Sequence, residues 1–177
     1  MFFSIATVLD EADWQRILNI NPSVRDMILH YHSPQDYFHF SWMVCEGMNQ
    51  EEIFTSLKYI AGQKSSFTIQ SGGIGIFPGN IPAITYVLSR SPEMTEMHSM
   101  LWNNCVKHVD RINTKYAPDC WIPHITLLHQ GLESRKYCEF LEKSVDSEIS
   151  FEIKVNNLSV IYKDEMSDGM LFSCTLK

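Results

Sequence analysis

Two short stretches with the same spacing of a histidine and a hydroxyl, 85 residues apart, constrain this chain more than any other feature. The first is FHFSWMV, residues 38–44, with His39 and Ser41; the second is PHITLLHQG, residues 123–131, with His124 and Thr126. Both read as strands. Residues two apart in a strand share a face, so each histidine–hydroxyl pair projects one way while Phe40 and Trp42, or Ile125 and Leu127, project into a core. A histidine on an apolar strand is ordinarily a core residue whose ring nitrogens are satisfied by neighbours. Two copies at matched places in a repeated order of elements point instead to a shared role.

The order does repeat. Residues 38–45 form a strand, and Asn49 with Glu52 opens a helix that carries Ile53, Leu57 and Ile60 on one face. Strands follow near 66–77 and 82–89. A long helix then starts at Ser91 and Pro92, with Met94, Met97, Leu101, Cys105, Val109 and Ile112 at helical spacing. After it the order begins again: a strand over 124–129, a helix over about 134–145 with Tyr137, Leu141 and Val145 inward, and strands near 149–162 and 169–176. Ahead of both units, residues 2–9 read as a strand and Asp10 caps a short helix with Trp14, Ile17 and Leu18 inside. The turn-rich stretch 21–36 holds a helical segment around 24–31. Two strand–helix–strand–strand units imply an internal duplication. A pseudo-two-fold would bring the two motif strands to one cleft.

At 177 residues, the chain is expected to form one domain over 1–177, large enough to bury a substantial core. Its formal net charge of −7 argues against a long, sequence-independent grip on nucleic acid, which needs a basic stripe. A small phosphorylated ligand in a locally positive pocket stays open. Cys45, Cys105, Cys120, Cys138 and Cys174 lack CxxC spacing and read as reduced core thiols rather than a disulfide frame or zinc site. The start, MFFSIATVLDEAD, lacks a basic leader region and reads as a first strand, and no apolar run approaches a membrane span. The expectation is a soluble, cytoplasmic, monomeric protein without a membrane partner.

Two imidazoles flanked by two hydroxyl donors have a definite chemical use. Imidazole titrates near neutrality, so one ring can be neutral as base while the other is protonated as acid. Hydroxyls can hold the non-bridging oxygens of a tetrahedral anion. The set suits cleavage of a phosphodiester without a metal or other cofactor.

With HFSW at 39–42 and HITL at 124–127, the chain resembles the two-histidine phosphoesterases, in particular the 2′-5′ RNA ligase-like and cyclic phosphodiesterase branch. SPQDYFHFS, GIGIFPGNIPAITYVLS and WIPHITLLHQG resemble the flanking text of that family, so the likeness spans nearly the whole chain. It implies an α+β, bilobal, pseudo-two-fold fold, with two antiparallel sheets and flanking helices around a central cleft. It also implies metal-independent chemistry on 2′,3′-cyclic phosphates or on 2′-5′-linked and short cyclic oligonucleotides, with 2′-5′ ligation as the reverse reaction. By motif match, His39 and His124 become the catalytic acid–base pair, in either assignment, and Ser41 and Thr126 the phosphate binders. Ligase-like members often carry arginine where this chain has His129, which favours a nucleotide or short oligonucleotide over a large RNA. The rival readings are a nucleotide- or RNA-binding module of the same fold with catalysis lost, and a metal-dependent hydrolase, which the lack of carboxylates near either motif disfavours.

Trp121, Tyr37, Tyr86 and Tyr162 are candidates to stack on a base, against the plainer reading of core or rim aromatics. His30 and His32 lack a third ligand at metal spacing and read as loop polarity. His98 and His108 read as surface positions of the long helix, and Lys107, Arg111 and Lys115 as cations at its end. Gly72, Gly73, Gly75 and Gly79 lack the lysine and hydroxyl of a phosphate loop and read as turn and strand-bend glycines.

Overall fold

The computed structural model describes residues 1–31, 37–80, 82–129, 133–164 and 167–177. His32, Pro34, Gln130 and Gly131 lie outside the described residues.

Strand β1 (Phe2–Val8) leads into helices α1 (Glu11–Ile20) and α2 (Pro22–Tyr31). Then come β2 (His39–Met48), α3 (Gln50–Ala61), β3 (Phe67–Phe77), β4 (Ala83–Leu88) and α4 (Pro92–Cys105). A one-turn 3-10 helix leads to β5 (Val109–Ile112), and a second (Thr114–Tyr116) precedes β6 (His124–His129). The chain closes with α5 (Ser134–Ser144), β7 (Glu152–Val155), β8 (Asn157–Lys163) and β9 (Asp168–Thr175). Three helices start where a side chain takes up an orphan amide: Asp10 accepts from Asp13 N, Asn49 from Glu52 N and Ser91 from Met94 N.

The strands form one continuous antiparallel sheet in the order β7–β3–β4–β6–β2–β1–β8–β9, with β5 on the far end of β2. It divides into a half of four strands (β7, β3, β4, β6) and a half of five (β2, β1, β8, β9 and β5), the two expected sheets, joined among the described residues by one ladder pairing, Phe40 with Ile125. The halves exchange strands. β1 pairs with β8 from the chain's end, β7 pairs with β3, and β4 pairs with β6. Gly75 lets β3 approach β4, since a Cβ there would meet Val87 Cγ2 at 2.6 Å.

Alternation decides what lies under the helices. Phe40, Trp42, Ile125 and Leu127 are all fully buried, as the strand pattern predicts. α3 packs on α4 and against β8 and β9, while α2 packs with α1, α5 and β6. The opposite face of β2 and β6 is left for a cleft. No helix among the described residues is long and apolar enough to cross a membrane.

Several expectations fail locally. α4 ends at Cys105, and Val109 and Ile112 belong to β5, where they pair with Met48 and Cys45. Their spacing fits a helix face, but β-branched residues beside an unpaired stretch of β2 are drawn into the sheet. Lys107 stays at the helix end, in the 3-10 turn that follows α4, whereas Arg111 and Lys115 lie beyond it, and Arg111 pairs with Glu46 at 2.7 Å. Val145 is exposed and follows the last residue of α5, whose inward anchor is Phe140. The stretch 149–162 is two strands, β7 and β8, which go to opposite edges of the sheet. Cys45 and Cys105 are core thiols, whereas Cys120 and Cys138 are exposed.

Candidate active site

The single β2–β6 pairing places the four motif side chains. With Phe40 opposite Ile125 in antiparallel register, His39 lies alongside Thr126 and Ser41 alongside His124. All four turn to the face opposite the core and line one cavity of about 370 Å³, a size within the range of small-molecule sites. Each hydroxyl thus sits beside the histidine of the other motif.

The two imidazoles are held in the same way. His39 Nδ1 lies 2.5 Å from the carbonyl of Tyr37, and His124 Nδ1 lies 2.7 Å from the carbonyl of Ile122. A carbonyl only accepts, so Nδ1 of each ring carries a proton and donates, and proton exchange falls to Nε2. Phe77 packs on the His124 ring, with centroids 4.7 Å apart. Burial pulls the His124 imidazole below its ordinary pKa, and the Ile122 carbonyl opposes that shift. Among the described residues, no group of three or more His, Cys, Asp or Glu side chains is placed to hold a metal ion.

No protein-family model matches the chain, and no curated protein matches it in sequence. Solved structures do. E. coli LigT in its apo form matches with a TM-score of 0.59 at 15% identity, over 99% of this chain and 96% of LigT. LigT complexed with 3′-AMP gives 0.55 at 15% identity, over 98% and 97%. This chain has the LigT fold. A crystal structure of a phosphoesterase gives 0.52 at 13% identity, over 98% of this chain and 97% of that one.

Within this LigT fold, two of the four aromatic candidates reach the cleft. Tyr37 is exposed at its mouth and Tyr162 is half-buried in its wall. The other two are corrected. Tyr86 is buried against Phe151, edge to face at 5.2 Å, because it points to the core side of β4. Trp121 is 3% exposed and stacks on His98, with centroids 3.9 Å apart and planes at 11°. Neither has a face to offer a base.

His98 is a further correction, fully buried rather than on the surface. Its Nε2–H donates to the Trp42 carbonyl at 3.1 Å, and burial holds its pKa down to about 4. His108 is half-buried, with Nε2 3.8 Å from a Glu52 carboxylate oxygen. His30 sits exposed in the last turn of α2.

Sequence reasoning missed Ser4 and Tyr116, which also line the cleft. Ser4 interrupts the apolar run of β1 on the cleft side, and that polar break was the available signal. Tyr116 gives none, because it reaches the site only through a 3-10 turn whose direction is set by β5. Lys163 adds a cation at the rim, from the end of β8.

Proposed function

We propose that the protein is a two-histidine phosphodiesterase that acts without a metal on nucleoside 2′,3′-cyclic phosphates or on 2′-5′-linked and short cyclic oligonucleotides. The observation that carries this reading is the matched pair of imidazoles, each donating Nδ1–H to a carbonyl two residues upstream and each beside the other motif's hydroxyl. A neutral His124 suits the base, since burial disfavours its charged form.

In hydrolysis of a cyclic phosphate, His124 Nε2 takes a proton from water while the water oxygen bonds to phosphorus. The bond from phosphorus to one ribose oxygen breaks, and His39, protonated at Nε2, gives its proton to that oxygen. The product is a phosphomonoester beside a restored ribose hydroxyl. Ser41 and Thr126 donate to the non-bridging oxygens, where charge builds in the transition state. Tyr37 and Tyr162 offer ring faces to a base.

LigT has been crystallised with 3′-AMP, with phosphate and with ATP, and these ligands support a nucleotide phosphate as the occupant of the corresponding cleft here. The test is turnover of a panel of 2′,3′-cyclic nucleotides and 2′-5′ oligoadenylates in excess EDTA, by wild type, His39→Ala and His124→Ala. Chelator-resistant turnover lost in both variants supports the reading. Activity that EDTA abolishes, or that both variants retain, sinks it. Tight binding of the panel without turnover would make the protein a nucleotide-binding module.

A further inference from the structure

We propose that Phe2, Lys163 and Asp168 form a base subsite at one end of the cleft, and that this subsite selects guanine. The assignment rests on the reading of the cleft as a nucleotide phosphodiesterase site and narrows its substrate class.

Strand register brings the three residues together. Ser4 faces the cleft, since its Oγ lies 2.7 Å from Ser41 Oγ and both residues line the cavity. Phe2 is two residues from Ser4 in β1 and so shares that face. Lys163 of β8 pairs with Phe2, and Asp168 of β9 pairs with Lys163, which sets the three in one row across three strands. All three line the same cavity as the four motif side chains. Val44 and Ile161, both opposite Ser4, line the stretch between the motif residues and the row. The row is fixed at a hairpin, where Asp164 N donates to the Ser167 carbonyl at 2.8 Å just beyond the Lys163–Asp168 pair. Beside it, Tyr162 lies so close across Gly169 that a Cβ there would meet the ring at 2.8 Å.

The chemistry of the row matches a base edge. Phe2 is 55% exposed although it borders the cavity, which leaves a ring free to stack on a base. Lys163 offers only donors and Asp168 only acceptors. A second phosphate fits this row poorly, because the carboxylate repels it. A neutral base fits, since its edge presents donors and acceptors side by side. Guanine alone among the four bases carries donors at two adjacent positions, N1–H and the 2-amino group, with the O6 acceptor next to them. The two oxygens of Asp168 take both donors, and Lys163 Nζ donates to O6. Length agrees. Ala6 pairs with Ser41, and Phe2 lies four residues further along β1, about 13 Å at the rise of a strand. That span from the phosphate-binding hydroxyl suits a purine nucleoside better than a shorter pyrimidine one.

The experiment compares kcat/KM for the 2′,3′-cyclic phosphates of guanosine, adenosine, cytidine, uridine and inosine in wild type, Asp168→Ala, Lys163→Met and Phe2→Leu. Inosine lacks only the 2-amino group of guanosine. For wild type the guanosine substrate should exceed each of the others about tenfold or more, the effect of one hydrogen bond to a charged group. Asp168→Ala should bring the guanosine-to-inosine ratio close to one, because the amino group has then lost its partner. Lys163→Met should weaken guanosine and inosine alike, since both carry O6, and Phe2→Leu should raise KM severalfold for every base. A merely structural role for Asp168 would lower all five substrates by one factor and leave the ratio intact. Turnover without a guanosine preference, a ratio that Asp168→Ala leaves intact, or an unmoved KM in Phe2→Leu would each overturn the proposal and leave the phosphodiesterase reading standing. If no substrate turns over, calorimetric titration of guanosine and inosine 3′-monophosphates decides. Guanosine binding about tenfold tighter, with the difference lost in Asp168→Ala, upholds the subsite and removes the phosphodiesterase reading; equal or absent binding overturns the proposal.

Discussion

The Trp121 indole nitrogen donates to the main-chain carbonyl of Ser41 across 3.0 Å, joining the segment that leads into one motif to the strand that carries the other. The same indole is gripped on its faces, by His98 at 3.9 Å and by the Arg90 guanidinium at 5.8 Å. Arg90 also donates to the Pro118 carbonyl at 2.6 Å, holding the loop that Trp121 closes. Trp121→Phe keeps an aromatic ring but leaves the Ser41 carbonyl without this donor. Urea unfolding should show a loss of about 1–3 kcal/mol, with the midpoint lowered and the slope unchanged. An unaltered midpoint would mean that the bond contributes nothing to the fold.

His98 makes stability depend on pH with a defined sign. Its ordinary value of 6.5 is lowered to about 4 in the folded protein by burial, with Arg90 adding to the shift. The unfolded chain therefore binds the proton more readily between these values. The stabilisation from keeping this ring neutral is complete above pH 6.5 and is lost as pH falls toward 4, amounting to about 3 kcal/mol. His98→Gln keeps an amide donor for the Trp42 carbonyl and does not titrate. Thermal melts from pH 7 to 4 should fall more steeply for wild type than for this variant; parallel curves would show that His98 carries no such linkage.

If the proposed mechanism holds, removing either motif histidine should cost about 10²–10⁴-fold or more in turnover of the best substrate, since each variant would lack a whole proton-transfer role. Thr126→Ala should cost less, as it removes one donor to an oxygen. The pH dependence of kcat/KM should also be informative. A base whose pKa is lowered stays neutral into mildly acidic solution, so the acid limb from His124 should lie below the ordinary 6.5. An acid limb at or above that value would assign the limiting base elsewhere.

The junction of the two sheet halves should be a weak point for the whole fold. Phe40 and Ile125 form the one ladder pairing between β2 and β6 among the described residues, and both are fully buried. Phe40→Ala should destabilise the protein by about 3–5 kcal/mol through the cavity it leaves. The loss should appear as a single lowered transition, because both halves depend on that contact. Two separated transitions would show that the halves fold apart.

The sequence by itself determined the elements that local physics controls. Alternation at 38–44 and 123–128 fixed which side chains enter the core and which turn to the cleft. Asp10, Asn49 and Ser91 announced helix starts because a cap needs only residues three apart. The matched spacing of His39–Ser41 and His124–Thr126 made it legible that these four side chains would share one cleft, and the family resemblance implied the fold class.

Tertiary structure alone decided what depends on which distant strand lies alongside. Tyr86 and Trp121 have the chemistry of base-stacking residues in the sequence, but the side of the sheet they pack against makes them core. His98 has the look of a surface helix position, yet it is buried, stacked on Trp121 and bonded to the Trp42 carbonyl. The exchange of strands between the halves, the turn of Val109–Ile112 into β5, and the meeting of Ser4, Ser41 and Tyr116 all arise from pairings between residues far apart in the chain. Such pairings are selected by burial and hydrogen bonding over the whole sheet, and no local window of the sequence contains both partners.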